Sequence, residues 1–347
     1  MILVTGGCGF IGSHVVDALV ELGAEVRVVD SLLPVAHGGL PDYLNSAADY
    51  VDADLRDAAA LRGCLADVDA VAHLASMVGL GVDLDDVVDY VEHNDLGTAV
   101  LVRELARRNA SARLVLASSM VVYGEGRYRC PEDGIVRPPP RDRVQLEAKE
   151  FEPACPRCGR ELVPESVPED APLEPRNVYA ATKLHQEQLC AAFGRETGAP
   201  VTALRLHNVY GPRMPRDTPY AGVASIFRSA LESGAAPRVF EDGRQLRDFV
   251  HVRDVADAFV RALTAEPPVA GAFNVASGEP RSVGDMAAAL ASAFAEGRSP
   301  VVTGEHRLGD VRHVFASPER AAGRLGFRAR ISFEDGMREF AQAPLRL

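Results

Sequence analysis

The chain has 347 residues, 47% hydrophobic and 25% charged, the balance of an ordinary soluble globular protein, and its length suits one large domain with a smaller lobe. Lys and Arg number 37 against 49 Asp and Glu, a net charge of −12, and no basic run is long enough to predict a nucleic-acid partner. No charged segment precedes an apolar signal core and no apolar span reaches the roughly 18 residues of a membrane helix, so the expectation is a cytoplasmic protein without a membrane partner.

The first element is a strand over 2–5, followed by Thr5-Gly6-Gly7-Cys8-Gly9-Phe10-Ile11-Gly12 and a helix that starts near Phe10 and extends through 12–22. Gly6, Gly7, Gly9 and Gly12 allow a tight turn, close approach of backbone to phosphate and close helix–strand packing. The helix start at Phe10, Ile11 and Gly12 offers unpaired N–H groups to a dinucleotide pyrophosphate. A second strand over 25–30 ends in Asp30, 18 residues after Gly12, where a carboxylate can accept hydrogen bonds from the adenosine ribose hydroxyls. An acid there repels a 2′-phosphate, so the cofactor expected is NAD rather than NADP.

Further strands are predicted over 70–74, 113–118 and 201–206, with helices over 58–65, 91–108 and 179–197 between them. Apolar strands alternating with helices predict an α/β fold, a Rossmann-type doubly wound parallel sheet with its site at the strand ends. Residues 1–206 are therefore read as the NAD-binding domain. The segment 125–175, rich in Pro, Arg and Glu and carrying several cysteines, reads as an insertion into it. Residues 207–347 read as mainly a smaller mixed α/β substrate lobe, with parts returning to the first domain.

The strand ending in Ser118-Ser119 leads into Met120-Val121-Val122-Tyr123-Gly124, and Tyr179-Ala180-Ala181-Thr182-Lys183 follows later. Tyr179 and Lys183, four apart, share a helix face. A phenol titrating near pH ~10 is a poor base, and a neighbouring lysine ammonium would favour its phenolate. A serine hydroxyl from the strand end can hydrogen-bond the same substrate oxygen as charge develops on it. Ser119, Tyr179 and Lys183 are the candidate catalytic set.

With these motifs in order, the chain resembles the extended short-chain dehydrogenase/reductase superfamily, specifically its NAD-dependent nucleotide-sugar epimerase/dehydratase family. The resemblance extends to Asp54-Leu55-Arg56-Asp57, His73-Leu74-Ala75-Ser76, Asn94 with Gly97-Thr98, Arg205 to Pro212, and Arg247-Asp248-Phe249-Val250-His251-Val252. It implies that Asp54 and Leu55 lie against the adenine, that Leu74, Ala75, Ser76 and Asn94 belong to the cofactor site, and that Tyr179 and Lys183 serve cofactor as well as chemistry. It also implies that Ser119, Asn208, Arg247 and Arg307 hold a nucleotide-diphosphate sugar, with Asp310 at the nucleotide ribose. The charge balance agrees, because a diphosphate approaching a protein of net charge −12 needs forked, permanently charged donors. Pairing of two chains through helices 91–108 and 179–197 is a further implication, so a homodimer is expected.

Within the family, 4,6-dehydratases place an acidic pair after the catalytic Ser or Thr, and certain 3,5-epimerases place a cysteine there. This chain has Met120-Val121, which can exchange no proton. The remaining set suffices for a 4-epimerase acting through a transient 4-keto sugar with tightly bound NAD, on a UDP- or dTDP-hexose. A 4-ketoreductase or a UDP-glucuronate-type epimerase or decarboxylase would use nearly the same residues. Glucuronate calls for one more cation, for which Arg213 is the candidate. A non-catalytic NAD-sensing regulator is the reading from another class, and the intact Ser119, Tyr179 and Lys183 weigh against it.

In the insertion, Cys155-Pro156-Arg157-Cys158-Gly159 has the form of a zinc knuckle, and Cys130-Pro131-Glu132-Asp133 repeats it with Asp133 in place of the second cysteine. Cys130, Asp133, Cys155 and Cys158 are thus candidate zinc ligands, with degenerate free thiols as the alternative. Because the insertion enters after Gly124 and leaves before Tyr179, it can cover the sugar. A similar cysteine-bearing insertion in some bacterial sugar epimerases points towards a dTDP-6-deoxyhexose such as dTDP-L-rhamnose. Cys8, Cys64 and Cys190 read as small buried thiols.

Overall fold

Leu3 and Val4 feed two different cores, and the same alternation recurs in Val29 and Val28, Val71 and Ala72, and Leu114 and Val115. A period of two with both faces apolar is the pattern of a sheet covered on both sides by helices. The computed structural model, which describes residues 1–34, 36–79, 84–216, 222–294 and 298–346, has that arrangement. Its seven-stranded sheet runs, from one edge, Gly271–Val275, Val201–Leu206, Arg113–Ser119, Ala70–His73, Ile2–Thr5, Val26–Asp30 and Asp49–Asp52, with every neighbouring pair parallel. The chain builds outwards from Ile2–Thr5 to one side and then returns to Ala70–His73 on the other. That reversal opens a crevice at the carboxyl ends of these two strands.

Helix Phe10–Glu21 packs Val15, Val16 and Leu19 into one core together with Val255 and Phe259 of helix Val252–Thr264. Each such burial is worth roughly 1.5–3 kcal/mol, so packing rather than capping holds the first helix in place. Its N-cap is Gly9, with no side-chain cap bond, which leaves the helix start open towards the crevice. The opposite face is covered by Ala58–Cys64, Gly97–Arg108 and Val178–Thr197 through Leu61, Leu101, Leu105, Cys190 and Phe193.

Three elements depart from the sequence reading. Asp49–Asp52 is a half-exposed edge strand with an acid at each end, so it carries no apolar run. Gly271–Val275, where the sequence reading predicts no strand, pairs with Val201–Leu206 and completes the sheet from within the second part of the chain. The helix expected over 91–108 begins earlier, at Val87–Tyr90, and passes through a π-helical stretch, Val91–Leu96, before Gly97–Arg108.

The smaller lobe places Asn208–Tyr210 beside Leu246–His251 and Pro280–Ser282, with helices Val223–Glu232, Val283–Ala293 and Phe333–Gln342 around a separate core. The insertion forms its own antiparallel sheet, Gly134–Val136, Arg127–Cys130 and Val163–Glu165, with a short helix Arg143–Glu147. Its ends meet: the Glu174 N–H donates to the Val122 carbonyl at 2.9 Å, and a Cβ on Gly124 would lie 2.3 Å from the Glu174 carbonyl oxygen. Among the described residues, no helix is long and apolar enough to cross a membrane.

Candidate active site

A single cavity of about 1120 Å³ runs from the glycine turn, past the strand ends, to the second lobe. At one end the turn is locked by contact. A Cβ on Gly12 would sit 2.1 Å from the Gly6 carbonyl oxygen, and one on Gly6, whose φ is +71°, would sit 2.7 Å from the Ala75 nitrogen. The turn therefore accepts no side chain at either position, and its backbone lies directly against Leu74-Ala75. Thr5 fixes the same junction: its hydroxyl accepts from the Leu74 and Ala75 N–H groups, both at 3.2 Å, and contacts His73 Nδ1 at 2.8 Å. Burial pushes His73 down to about 3, so this bridge stays uncharged at neutral pH.

Gly6, Gly9, Phe10, Ile11 and Gly12 line the cavity, as does Asp30 at the end of its strand. The Asp30 carboxylate accepts from the Cys8 N–H and the Leu32 N–H, both at 3.0 Å, which fixes its direction. Leu55, Leu74, Ala75 and Ser76 line the same end. Asp54 lines it too, with its carboxylate paired to the Arg56 guanidinium at 2.7 Å, and that hydrogen bond holds the acid below its ordinary range. These groups suit NAD: an open helix start for the pyrophosphate and an oriented carboxylate for the ribose.

Asn94 has a different place from that implied by its motif. It is fully buried, its oxygen accepting from Ser76 Oγ at 2.9 Å and the Met77 N–H at 2.7 Å, while its amide donates to the Met77 carbonyl at 3.0 Å and Thr182 Oγ1 at 2.9 Å. It lies in the π-helical stretch and acts on the cavity through Ser76 and Met77, which form the wall.

Asn177 caps helix Val178–Thr197 by accepting from the Ala180 N–H at 2.8 Å, which places Tyr179 in the first turn and Lys183 one turn later. Ser119 is the last residue of its strand and lies beside Tyr179 on the cavity wall. Burial pushes the Tyr179 phenol up to about 12, with the nearby Ser119 hydroxyl opposing. Lys183 is buried, donates to the Ala117 carbonyl at 3.0 Å, and has its ammonium 5.9 Å from the Tyr179 ring centroid. Desolvation brings Lys183 down to about 7, against the pull of Cys190, Glu187 and Asp95. The lysine expected from sequence to lower the tyrosine is itself strongly perturbed, and burial dominates both groups. Met120 and Val121 also line the cavity.

At the far end, Asn208, Arg247, Arg307 and Asp310 line the wall. Asn208 Oδ1 is buried without a hydrogen-bond partner among the described residues, as an atom that binds a ligand would be. Arg247 donates to the carbonyls of Leu246, Arg312 and Val311, all at 2.8 Å, and Arg307 stacks over Phe240 at 5.3 Å. Burial raises the Asp310 carboxyl, opposed by Arg247 and Arg307. Arg213 is placed elsewhere: it pairs with Asp17 at 2.7 Å, stacks over Tyr43 at 4.9 Å and does not line the cavity. The sequence reading missed Arg176, which does line the cavity; its position three residues before Tyr179 was the available signal.

In the insertion, Cys130, Asp133, Cys155 and Cys158 converge, with their ligand atoms all within 4.8 Å of one another. Cys8, Cys64 and Cys190 are buried, as expected for small packing thiols.

Residues 2–143 and 156–276 match the model of the NAD dependent epimerase/dehydratase family. The chain is 36% identical over 344 residues to a dTDP-L-rhamnose 4-epimerase of Burkholderia thailandensis, covering 97% of this chain and 93% of that protein. Among solved structures it is similar to the UDP-glucose 4-epimerase of Thermotoga maritima with UDP-glucose, at a TM-score of 0.79 and 28% identity, covering 98% of this chain and 97% of that one. The Thermus thermophilus UDP-glucose 4-epimerase complex with NAD aligns at a TM-score of 0.77 and 29% identity, with coverage of 98% and 97%.

Proposed function

This chain belongs to the NAD-dependent epimerase/dehydratase family, and we propose that it is a 4-epimerase of a UDP- or dTDP-hexose, with dTDP-L-rhamnose the favoured substrate. The observation that carries this reading is one continuous cavity. Ser119, Tyr179 and Lys183 share it with Asn208, Arg247 and Arg307, while Met120 and Val121 stand where dehydration would need an acid and a base. The 36% identity to a rhamnose 4-epimerase favours the deoxysugar. Arg213, the cation on which a glucuronate reading leaned, is spent on Asp17.

NAD, when bound, supplies reversible hydride acceptance from the sugar C4. Gly6, Gly9, Phe10, Ile11, Gly12 and Asp30 would hold its adenosine and pyrophosphate, with Asp54 and Leu55 beside the adenine and Leu74, Ala75 and Ser76 along the path between. Tyr179 removes the C4 hydroxyl proton and later returns it. Ser119 hydrogen-bonds the same oxygen, and Lys183 favours the phenolate. Asn208, Arg247 and Arg307 anchor the diphosphate and Asp310 the ribose, so the keto sugar turns about a fixed nucleotide and presents its other face.

Two further properties belong to this reading. Val88, Val91 and Leu96 are 62%, 44% and 47% exposed along the helix before Gly97, an apolar stripe suited to pairing two chains as a homodimer, which light scattering reads directly. We also assign a Zn²⁺ ion to the cysteine and aspartate cluster of the insertion.

The deciding experiment incubates purified protein with UDP- and dTDP-hexoses, including dTDP-L-rhamnose, and separates C4 epimers by chromatography. Epimer formation without net NADH is expected. Net NADH turnover would assign a ketoreductase instead, and loss of CO₂ from UDP-glucuronate a decarboxylase.

A further inference from the structure

We propose that the metal site of the insertion is a brace for the substrate wall: by tying together the segments that grip residues 310–313, its Zn²⁺ sets affinity for the nucleotide diphosphate without touching it. This rests on the function and zinc readings above and extends them.

The site is built from two copies of one turn. Cys130-Pro131-Glu132-Asp133-Gly134 and Cys155-Pro156-Arg157-Cys158-Gly159 each end on a glycine in the left-handed region, at φ 71° and 73°. In the second turn the Gly159 N–H returns to the Cys155 carbonyl at 2.8 Å, and the Cys155 N–H reaches the Arg160 carbonyl at 2.7 Å. Asp133 therefore occupies the position of the fourth cysteine. With Zn–S near 2.3 Å and Zn–O near 2.0 Å, a tetrahedral ion needs S···S edges of about 3.8 Å and S···O edges of about 3.5 Å. The structure has 3.4 Å between Cys130 and Cys158 sulfurs, and 3.5 Å and 3.2 Å from Asp133 Oδ2 to the sulfurs of Cys130 and Cys155.

The insertion needs such a staple. Its own core is five side chains, Tyr128, Cys130, Val136, Cys155 and Leu162, and two of these are candidate ligands. So small a core cannot offset the chain entropy of its loops.

The grip on the substrate wall comes from strand Arg127–Cys130 and from the loops that carry Arg141 and Glu152. Tyr128, two residues before Cys130, accepts from the His313 N–H at 3.1 Å. Glu152, three before Cys155, accepts from Arg312 Nε at 3.0 Å and contacts His313 Nε2 at 2.9 Å. Arg141 donates to the Asp310 carbonyl at 2.8 Å and pairs with Glu241 at 2.9 Å. From the other side, Arg247 donates to the carbonyls of Val311 and Arg312. Residues 310–313 are thus clamped between the insertion and the arginine assigned to the diphosphate. Arg312 is fully buried, and its compensation by Glu241, Asp242 and Glu152 depends on the insertion for its third carboxylate.

The test uses full-length protein carrying its bound NAD, with dTDP and UDP as calorimetric probes and zinc counted by mass spectrometry. About one zinc per chain is expected. Cys158→Ser, or treatment of the wild type with a strong chelator, should remove it and weaken binding of the preferred nucleotide roughly tenfold or more, with NAD content unchanged. Re-addition of zinc to chelated protein should restore affinity, and Asp133→Cys, which completes a four-cysteine site, should keep both metal and affinity. A wild type with no zinc as purified overturns the site. Zinc loss that leaves nucleotide affinity within about twofold, or that releases NAD in parallel, overturns the brace. If the wild type binds neither nucleotide, the function reading and the brace fall together, and the zinc count still decides the metal.

Discussion

Replacing Lys183 by Met should stabilise the NAD-free protein at neutral pH while removing most of its activity. Lys183 is buried, and desolvation takes it from 10.5 in the unfolded reference to about 7 in the fold. A drop of that size corresponds to roughly 4–5 kcal/mol of cost for carrying the ammonium inside, at about 1.4 kcal/mol per pH unit. Methionine keeps the apolar stem but abandons the bond to the Ala117 carbonyl, worth about 1.5–3 kcal/mol for a charged donor. The net gain at pH ~7 is therefore about 1–3.5 kcal/mol. The sign with pH follows from proton counting. Between about 7 and 10.5 the unfolded chain binds a proton that the native site refuses, so wild-type stability rises with pH across that window and levels below it. Urea unfolding of both proteins, stripped of NAD, from neutral to alkaline pH reads the difference. The advantage of Lys183→Met should be largest at neutral pH and shrink as pH rises, while epimerisation falls about 100-fold or more. A variant less stable than wild type at pH ~7, or a difference flat with pH, would refute the assignment of a desolvated lysine.

Gly12→Ala places a methyl 2.1 Å from the Gly6 carbonyl oxygen, so the turn must open; NAD should no longer co-purify, and the stripped protein should lose about 2–3 kcal/mol in urea titration. Asn208→Ala removes a buried oxygen with no partner among the described residues and should raise KM for the sugar nucleotide roughly tenfold while kcat stays within about twofold, since the anchor is the same before and during the chemical step.

The parts of the molecule legible in the sequence are those whose cause is local. The runs at Ile2–Thr5 and Val201–Leu206 are apolar because both faces of the sheet are covered, and the glycine turn is written in residues that tolerate no side chain. Asp49–Asp52 escaped because an edge strand needs no continuous apolar run. Gly271–Val275 escaped because only its pairing with a strand some seventy residues earlier defines it. The role of Asn94 depends on a partner 88 residues away, Thr182, and the clamp at Arg312 on Glu152, 160 residues away. Motif spacing marks Asn94 as important, yet which atoms it touches is decided by tertiary packing.

The meeting of Val122 and Gly124 with Glu174 gives the fold a form of evolvability. Because the cysteine-bearing segment leaves and rejoins the first domain at one point, just after the Ser119 strand and just before the Tyr179 helix, its length does not enter the distance between Ser119 and Tyr179. A change in the length of this segment therefore leaves the spacing of the proton-transfer residues untouched.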